Sequence, residues 1–318
     1  MGIKIISTGM AIPQQSLTNN ELCKFVDTTD EWIVSHTGIS NRYICTSESL
    51  TDLAESAART ALVNHNIQDI DLIICSTVTG DYIVPSLACC LSERLGTNCP
   101  AFDVNAACTG FVYGLDVATA YIGSGKAKKV LFVCGDMLTK MTNWSDRSTC
   151  VLFGDAAGAM IIEPGDSLKY IRLTATGRPE ILHIKGTPPH NPLVDAGENA
   201  GKQGYVHMDG QEVFRFAVLS VEKEVNLALE TLNLTPDDIK YFLLHQANKR
   251  IIESARNRLK QPIEKFPTNI ERFSNTTAAT IPMLLDELNK DNKLQKGDKL
   301  LAIAFGAGLT TGTCIIEW

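Results

Sequence analysis

Short apolar runs alternate along the chain with stretches of helical periodicity. Four of these runs have strand length and are continuously apolar: 72–75, 130–134, 241–244 and 300–305. Continuous apolar runs are typical of strands that are covered on both faces. Helical patterns flank them, at 50–64, 109–122, 211–232 and 248–260. This order of elements predicts an α/β protein with helices layered on its sheets.

The two halves of the chain resemble each other. Two pairs of segments match in the same order, 69–76 with 238–245 and 158–163 with 312–317. Because matches repeated in one order indicate a duplication, we predict two similar halves, residues 1–165 and 166–318. Residues 177–206 are rich in Gly, Pro, Asn and His, which predicts a long surface loop or lid.

The composition excludes several classes of protein. The chain has 318 residues, 44% of them apolar, and a net charge of −7, which indicates a globular protein and argues against nucleic acid as the main partner. No apolar run reaches the roughly 18 residues of a membrane helix, and no signal peptide is evident, so we expect a cytoplasmic protein. The ten cysteines form no CxxC and no zinc-like spacing, so we expect neither a disulfide framework nor a metal site.

Cys108 is the first candidate for chemistry. It stands between an apolar run at 101–104 and a helical pattern that begins at 109. A thiol at the N-terminus of a helix feels the positive end of the helix dipole, which lowers its pKa and favours the thiolate. We therefore expect a candidate nucleophile. The alternative is an inert core cysteine, the commoner fate of a free cysteine.

His245 and Asn275 occupy similar junctions. His245 ends a predicted strand, and the carboxyl ends of strands are where α/β proteins bind ligands. Asn275 precedes a helical run, where it can serve as an N-cap or donate a hydrogen bond to an enolate oxygen. Gly306, Ala307 and Gly308 follow the last apolar strand run and can present backbone amides to an oxyanion. Each of these residues, taken alone, is more often structural.

The predicted helix 248–260 is basic, on an acidic protein. Its cations are Lys249, Arg250, Arg256, Arg258 and Lys260, against a single acid, Glu253. A helix with this many cations presents either a solvated face or a docking surface for an acidic carrier or a phosphorylated cofactor.

Seven motifs occur in an order that is far more specific than any single residue: 27–39, 101–108, 153–158, 208–214, 245–248, 275–279 and 304–308. Together they resemble β-ketoacyl-acyl-carrier-protein synthase III, the initiating condensing enzyme of type II fatty acid synthesis, essentially from end to end. The resemblance implies the thiolase fold, in which two similar halves form a five-layered α-β-α-β-α core, usually as a homodimer. The first half then carries the nucleophile Cys108, and the second carries His245 and Asn275.

The resemblance implies a role for each candidate residue. Cys108 would take an acyl group from acyl-CoA. His245 and Asn275 would stabilise the carbanion that forms when malonyl-acyl carrier protein loses CO₂. The backbone amides of Cys108 and of Gly306 or Ala307 would form the oxyanion hole. This covalent chemistry uses acyl-CoA as a substrate and needs no cofactor and no metal.

The resemblance also implies two binding surfaces. The CoA and pantetheine tunnel would be formed by Thr28, Trp32, Arg147, Leu152, Gly210, Phe214 and Asn248. Trp32 and Arg147 would sandwich the adenine ring by stacking and cation–π contact. The acidic carrier protein would contact Arg215, Lys249, Arg250 and Arg258.

The chain departs from the family pattern at four positions. His36 stands where many relatives have an arginine that supports the CoA nucleotide, so we expect CoA affinity or primer delivery to differ. Ala307 replaces the middle glycine of a three-glycine turn but keeps its backbone amide. Thr311 replaces a common tryptophan. Val84 occupies a primer-pocket position that is often phenylalanine in acetyl-CoA-selective members, so we expect a longer or branched primer.

Several other functions remain open. The nearest is a related acyltransferase or condensing enzyme of specialised metabolism that uses the same three residues. A non-catalytic paralogue ranks lower, because such proteins typically replace the cysteine. The Asn275-Thr276-Thr277 motif argues against ketoacyl synthases I and II, which use two histidines, and plant-type polyketide synthases are longer. A hydrolase with Cys, His and Asn does not account for the whole motif set.

Overall fold

The computed structural model describes residues 2–202 and 204–318. Its strands are β1 (Gly2–Ala11), β2 (Ser16–Thr18), β3 (Asn41–Tyr43), β4 (Leu72–Ser76), β5 (Ala101–Val104), β6 (Val130–Met137), β7 (Asp155–Gly165), β8 (Leu168–Ala175), β9 (Leu182–Ile184), β10 (Val206–Met208), β11 (Tyr241–Leu244), β12 (Lys299–Gly306) and β13 (Thr310–Glu317). Its α-helices are α1 (Asn19–Leu22), α2 (Asp30–Thr37), α3 (Leu50–Ala61), α4 (Leu87–Leu95), α5 (Gly110–Gly123), α6 (Arg147–Cys150), α7 (Gly210–Thr231), α8 (Lys249–Leu259), α9 (Ile270–Phe273) and α10 (Thr280–Lys290). The predicted helical stretches agree with α3, α5, α7 and α8 to within three residues.

Two larger sheets share a strand order. One sheet runs β1-β7-β6-β4-β5 and the other runs β8-β13-β12-β11. In both, two antiparallel pairings are followed by a parallel one, β6 with β4 and β12 with β11. The matching sequence segments lie in corresponding strands, β4 with β11 and β7 with β13. The chain passes from one sheet to the other between Gly165 and Leu168, and the division into halves at 165 stays a prediction.

Alternate side chains of the central strands pack against different helices. In β4, Leu72 and Ile74 face the central cluster with α5 and α10, whereas Ile73 and Cys75 face α3 and α4. In β12 the alternate residues divide in the same way between that central cluster and α7 with α8. Since successive strand residues point to opposite faces, both sheets are buried on both sides. The layers are therefore α3/α4, sheet, α5/α10, sheet and α7/α8, as the five-layered fold predicts.

The segment 177–206 is not wholly a loop. It contains β9, and its end begins β10, which pairs with β9 in antiparallel register. His183 and His207 stand directly opposite each other in this hairpin, with ring centroids 4.8 Å apart. The hairpin lies over the cavity described below, because Leu182, His183 and Ile184 contribute to its lining.

Candidate active site

A cavity of about 740 Å³ lies where several strands and helix starts converge. Cys108 follows β5, His245 follows β11, Asn275 precedes α10, and Gly306 ends β12; all four line this cavity. Other predicted site residues that line it are Trp32, Leu152, Gly210, Phe214, Asn248, Arg250 and Ala307. The structure therefore brings the three candidate catalytic residues together from distant parts of the chain.

Cys108 sits in a short 3-10 turn, Ala107–Thr109, that leads directly into α5. Ala107 has a positive φ of 46°, a region that residues other than glycine visit rarely. A Cβ atom at Gly110 would lie 1.8 Å from Ser76 Oγ, so only glycine lets the start of α5 approach β4 this closely. These constraints place Cys108 at the cavity wall, where the residue as a whole is half-buried and its thiol is surrounded by protein atoms.

The expectation of a lowered pKa at Cys108 is wrong. Burial raises the pKa of this thiol to about 12, and the nearby Asp136 carboxylate adds to the increase. Removing a thiolate from water and placing it near a negative charge both disfavour ionisation. The resting side chain is consequently a protonated thiol, and a proton must leave it when it attacks.

His245 is almost fully buried and is held on several sides. Its backbone N–H donates to the Ile303 carbonyl over 2.9 Å, and its ring Nδ1 lies 2.7 Å from the Thr280 hydroxyl. The Phe305 ring packs against it in an edge-on arrangement at 5.3 Å between centroids. Burial lowers the pKa of His245 to about 3, because the charged imidazolium cannot be solvated. The ring is therefore neutral and carries one N–H.

Asn275 is fixed by both its backbone and its amide oxygen. The Thr277 N–H donates to Asn275 Oδ1 over 2.9 Å, and the Asn275 N–H donates to the Leu152 carbonyl over 3.0 Å. Since the oxygen is occupied, the side-chain NH₂ group is the part that is free to donate into the cavity. Asn275 is not the N-cap of α10, because that position belongs to Ala279.

The end of β12 touches the Cys108 backbone. A Cβ atom at Gly306 would lie 3.0 Å from Cys108 N and 3.1 Å from Cys108 Cβ. Glycine thus lets the two chain segments meet at the point where an oxyanion hole needs backbone amides. Ala307 follows and also lines the cavity, so the change from glycine leaves a backbone amide in the turn.

Asp136 is a buried residue that the sequence reasoning missed. Its carboxylate accepts hydrogen bonds from the Thr77 hydroxyl at 2.9 Å, the Thr79 hydroxyl at 2.8 Å and the Val78 N–H at 2.8 Å, and also from the Thr277 hydroxyl. It therefore ties the loop after β4 to the segment that carries Asn275. An acidic residue near the end of the otherwise apolar run of β6 is the signal that could have identified it.

The adenine sandwich between Trp32 and Arg147 does not fit the observed side chains. The Arg147 guanidinium carbon lies 4.6 Å from the Trp32 ring centroid, which is direct contact and leaves no space for a base. The His36 ring also stacks on Trp32, at 4.3 Å between centroids. A base can stack on Trp32 only after one of these side chains moves. Nearby, the buried Thr28 hydroxyl has no hydrogen-bond partner among the described residues.

The cations predicted to meet a carrier protein differ in their pairing. Lys249 lies 2.9 Å from Glu271, and Arg258 forms an ion pair with Glu222. Arg215 lies 3.8 Å from Glu212 in an exposed pair. Arg250 instead stacks over Phe214, with its guanidinium carbon 5.5 Å from the ring centroid, at the cavity rim.

Val84 does not line the cavity of its own chain. Its side chain is 82% exposed, beside Ile83 at 93% and Tyr82 at 62%. A role for Val84 in limiting the primer within a single chain is therefore excluded. Thr311, by contrast, is buried in β13 and its hydroxyl contacts that of Thr174 on the neighbouring strand, which accounts for the packing at this position without a tryptophan.

Comparison with known proteins agrees with this arrangement. Residues 102–177 match the model of the family described as 3-oxoacyl-[acyl-carrier-protein (ACP)] synthase III, and residues 229–318 match that of its C-terminal region. Over 323 aligned positions the chain is 42% identical to the β-ketoacyl-[acyl-carrier-protein] synthase III of Clostridium acetobutylicum, covering 99% of this chain and 98% of the relative. The chain belongs to the β-ketoacyl-acyl-carrier-protein synthase III family.

Solved structures extend the family assignment to the fold. The 3-oxoacyl-[acyl-carrier-protein] synthase III of Aquifex aeolicus superimposes over 100% of both chains with a TM-score of 0.91 at 40% identity. A priming β-ketosynthase of a polyketide biosynthetic pathway gives a TM-score of 0.91 at 31% identity, over 99% of this chain and 96% of that one. This synthase III family member is thus a condensing acyltransferase with the thiolase-like fold.

Among residues 2–202 and 204–318, no group of three or more His, Cys, Asp or Glu side chains is arranged to hold a metal ion. Over the same residues, no helix is both long enough and apolar enough to cross a membrane.

Proposed function

We propose that this chain joins a short acyl group, supplied as acyl-CoA, to the malonyl unit of malonyl-acyl carrier protein. The products are β-ketoacyl-acyl carrier protein, CO₂ and CoA, which initiates type II fatty acid synthesis. The observation that carries this proposal is the convergence of a thiol, a neutral imidazole and an oriented amide in one cavity, in a chain of this family.

In the first step Cys108 attacks the thioester carbonyl of acyl-CoA. The S–C bond to the protein forms, the bond to the CoA sulfur breaks, and the proton of the Cys108 thiol ends on the departing CoA thiol. We propose that the backbone amides at Cys108 and at the Gly306–Ala307 turn hold the oxyanion, and the close approach of Gly306 to the Cys108 amide supports this role. The result is an acyl-cysteine thioester and free CoA.

In the second step the malonyl thioester loses CO₂, and the electron pair of the broken C–C bond forms an enolate. The side-chain NH₂ of Asn275 and a ring N–H of His245 donate to its oxygen, since both are neutral donors at the cavity wall. The carbanion then attacks the acyl-cysteine carbonyl and expels the Cys108 thiolate, which takes up a proton. Loss of CO₂ supplies the carbanion, so no strong base and no metal enter these steps.

The substrate tunnel is proposed to run from the cavity to the surface beside Trp32. Leu152, Gly210, Phe214 and Asn248 line it. Thr28 lies outside this lining, and its buried hydroxyl, which has no hydrogen-bond partner among the described residues, would have to become exposed to bind the CoA nucleotide. Arg250, at the rim, would meet the acidic carrier protein together with Arg215, Lys249 and Arg258. Because Lys249 and Arg258 are already paired with acids, Arg250 is proposed as the strongest of the four contacts.

We also propose a homodimer that covers residues 82–84. These three consecutive side chains are largely apolar and exposed, and a monomer would leave them in water. Val84 could then limit the primer only from the partner chain. Its small side chain supports a primer longer than acetyl.

The second candidate function is that of a related acyltransferase or condensing enzyme of specialised metabolism. The structural match to a priming β-ketosynthase of a polyketide biosynthetic pathway supports it. In that case the same Cys108 adduct forms, but a different acceptor receives the acyl group. The two functions differ in the second step alone.

Intact-mass spectrometry separates these functions. The purified protein is incubated with acetyl-, butyryl- or isovaleryl-CoA, and then with malonyl-acyl carrier protein; a Cys108→Ala variant is the control. We expect a four- or five-carbon adduct on Cys108 that clears as β-ketoacyl-acyl carrier protein. An adduct that persists after addition of malonyl-acyl carrier protein would favour the second function. An adduct that forms best with acetyl-CoA would refute the primer assignment, and no adduct at all would refute the enzyme proposal.

A further inference from the structure

The hydroxyl of Thr280 lies between two possible acceptors. It is 2.7 Å from His245 Nδ1 and 3.0 Å from the Thr277 carbonyl oxygen, and all three residues are buried. A hydroxyl has one proton and can donate to only one of them at a time. The acceptor to which the Thr280 hydroxyl donates determines which nitrogen of the neutral His245 ring carries the hydrogen.

The two arrangements have different consequences at the cavity. If Thr280 donates to the Thr277 carbonyl, its oxygen must accept from Nδ1–H, and Nε2 is left as an acceptor. If Thr280 donates to Nδ1, the ring hydrogen is on Nε2, which faces the cavity and has no protein hydrogen-bond partner among the described residues. Only the second arrangement lets His245 donate to an enolate oxygen.

The surroundings favour the second arrangement. The Thr277 carbonyl already accepts the backbone N–H of Thr280, so it keeps a hydrogen bond without the hydroxyl. The Nδ1 atom of His245 is buried and, within the described part of the chain, has no other hydrogen-bond partner, so an unsatisfied nitrogen would be costly there. The shorter of the two distances is also the one to His245.

We propose that Thr280 is a positioning residue whose hydroxyl donates to His245 Nδ1 and thereby holds the ring hydrogen on Nε2. This inference rests on the proposed donor role of His245. Thr280 contacts no substrate in this scheme. It acts only on the second step, the loss of CO₂ and condensation, because acylation of Cys108 needs no N–H from His245.

Three variants test the kinetic consequence. Thr280→Val keeps the shape and removes the donor, so we expect the condensation rate to fall at least about tenfold, toward the loss seen when an oxyanion donor is removed. The rate of acyl-adduct formation on Cys108 should stay within about threefold. Thr280→Ser should restore most of the condensation rate. The matched control is Thr276→Val, because the buried Thr276 hydroxyl donates to Met283 Sδ and has no other hydrogen-bond acceptor among residues 2–202 and 204–318. This substitution should leave both rates within about threefold.

An NMR measurement tests the tautomer without reference to activity. In protein with ¹⁵N-labelled histidine, the His245 signals, assigned by their absence in His245→Ala, should show a protonated Nε2 and an unprotonated Nδ1. A protonated Nδ1 in the wild type would overturn the proposal. Equal losses of both half-reactions in Thr280→Val, or no recovery in Thr280→Ser, would also overturn it and indicate a structural role. If Cys108 forms no adduct in the wild type, the proposed function fails while the tautomer is still measured.

Discussion

At the scale of single residues, two opposing effects act on the Cys108 thiol. The start of α5 offers the positive end of a helix dipole, which favours the thiolate. Burial and the Asp136 carboxylate favour the thiol, and together they raise the pKa to about 12. The larger effect is burial, because desolvation of a charge in a closed site exceeds the partial charge of a helix end.

The contribution of Asp136 can be measured at the thiol. In Asp136→Asn the negative charge is removed while an amide oxygen remains to accept the Thr77, Val78 and Thr79 hydrogen bonds. We expect the pKa of Cys108 to fall but to remain above its ordinary value, because burial persists. The rate of iodoacetamide alkylation of Cys108, followed by mass between pH 7 and 10, should rise at every pH. An unchanged rate profile would show that Asp136 does not act electrostatically on Cys108.

His36 gives a second prediction at this scale. Its Nδ1 lies 2.7 Å from the Trp32 carbonyl oxygen, so only the other ring nitrogen is left to contact a phosphate. In His36→Arg a permanent cation with several donors is introduced, and we expect the KM for acyl-CoA to fall about twofold to fivefold, the gain of an exposed ion pair. The neutral control His36→Gln should not lower KM. A lower KM in both variants would mean that removal of the Trp32–His36 stack, rather than charge, is responsible.

Several properties of the active site could not be predicted from the amino-acid sequence. The motifs around Cys108, His245 and Asn275 predicted that these residues would meet, and the cavity brings them together. Their protonation and orientation depend on neighbours that are distant in sequence, such as Asp136 for Cys108 and Thr280 for His245. Burial itself is a property of the whole fold, so the sign of the Cys108 pKa shift was not available from local sequence.

At the scale of elements, the end of β12 sets the position of the nucleophile. Gly306→Ala introduces a Cβ atom 3.0 Å from Cys108 N, so the strand end or the 3-10 turn must move. We expect acylation of Cys108 to slow by at least about tenfold, because the oxyanion amides lose their alignment. The matched variant Ala307→Gly, one position away, removes only a methyl group and should acylate at close to the wild-type rate. Acyl-adduct formation is followed by intact mass, and urea unfolding shows that the Gly306→Ala chain is folded. Equal rates in the two variants would contradict this role.

The elements themselves were predicted with uneven success. Strands β4, β6, β11 and β12 are continuously apolar because both faces are covered, and that pattern identified them. The hairpin of β9 and β10 was missed because its strands have three residues each, too few to show a period. Its pairing is long-range in sequence, which a local pattern does not record.

At the scale of the whole molecule, the five layers leave the apolar residues 82–84 uncovered. Residues 82–84 lie on the loop between β4 and α4 and project Ile83 and Val84 into solvent. A large exposed apolar patch on a globular protein usually marks an interface. The proposed homodimer accounts for this patch and gives Val84 a route to a primer pocket, that of the partner chain.

This assembly can be tested by sedimentation velocity. The wild-type protein should sediment with about twice the 34.7 kDa mass of one chain. Ile83→Asp places a charge in the patch, which would be desolvated in the interface, so we expect a concentration-dependent shift to monomer. Leu193→Asp is the matched control, since Leu193 is equally exposed, at 94%, on the hairpin segment that includes β9, and its replacement should leave the dimer intact. A wild-type monomer, or dissociation by both variants alike, would contradict an interface at residues 82–84. If Ile83→Asp alone dissociates the dimer, its primer range should also widen, because the partner's Val84 would no longer close the pocket.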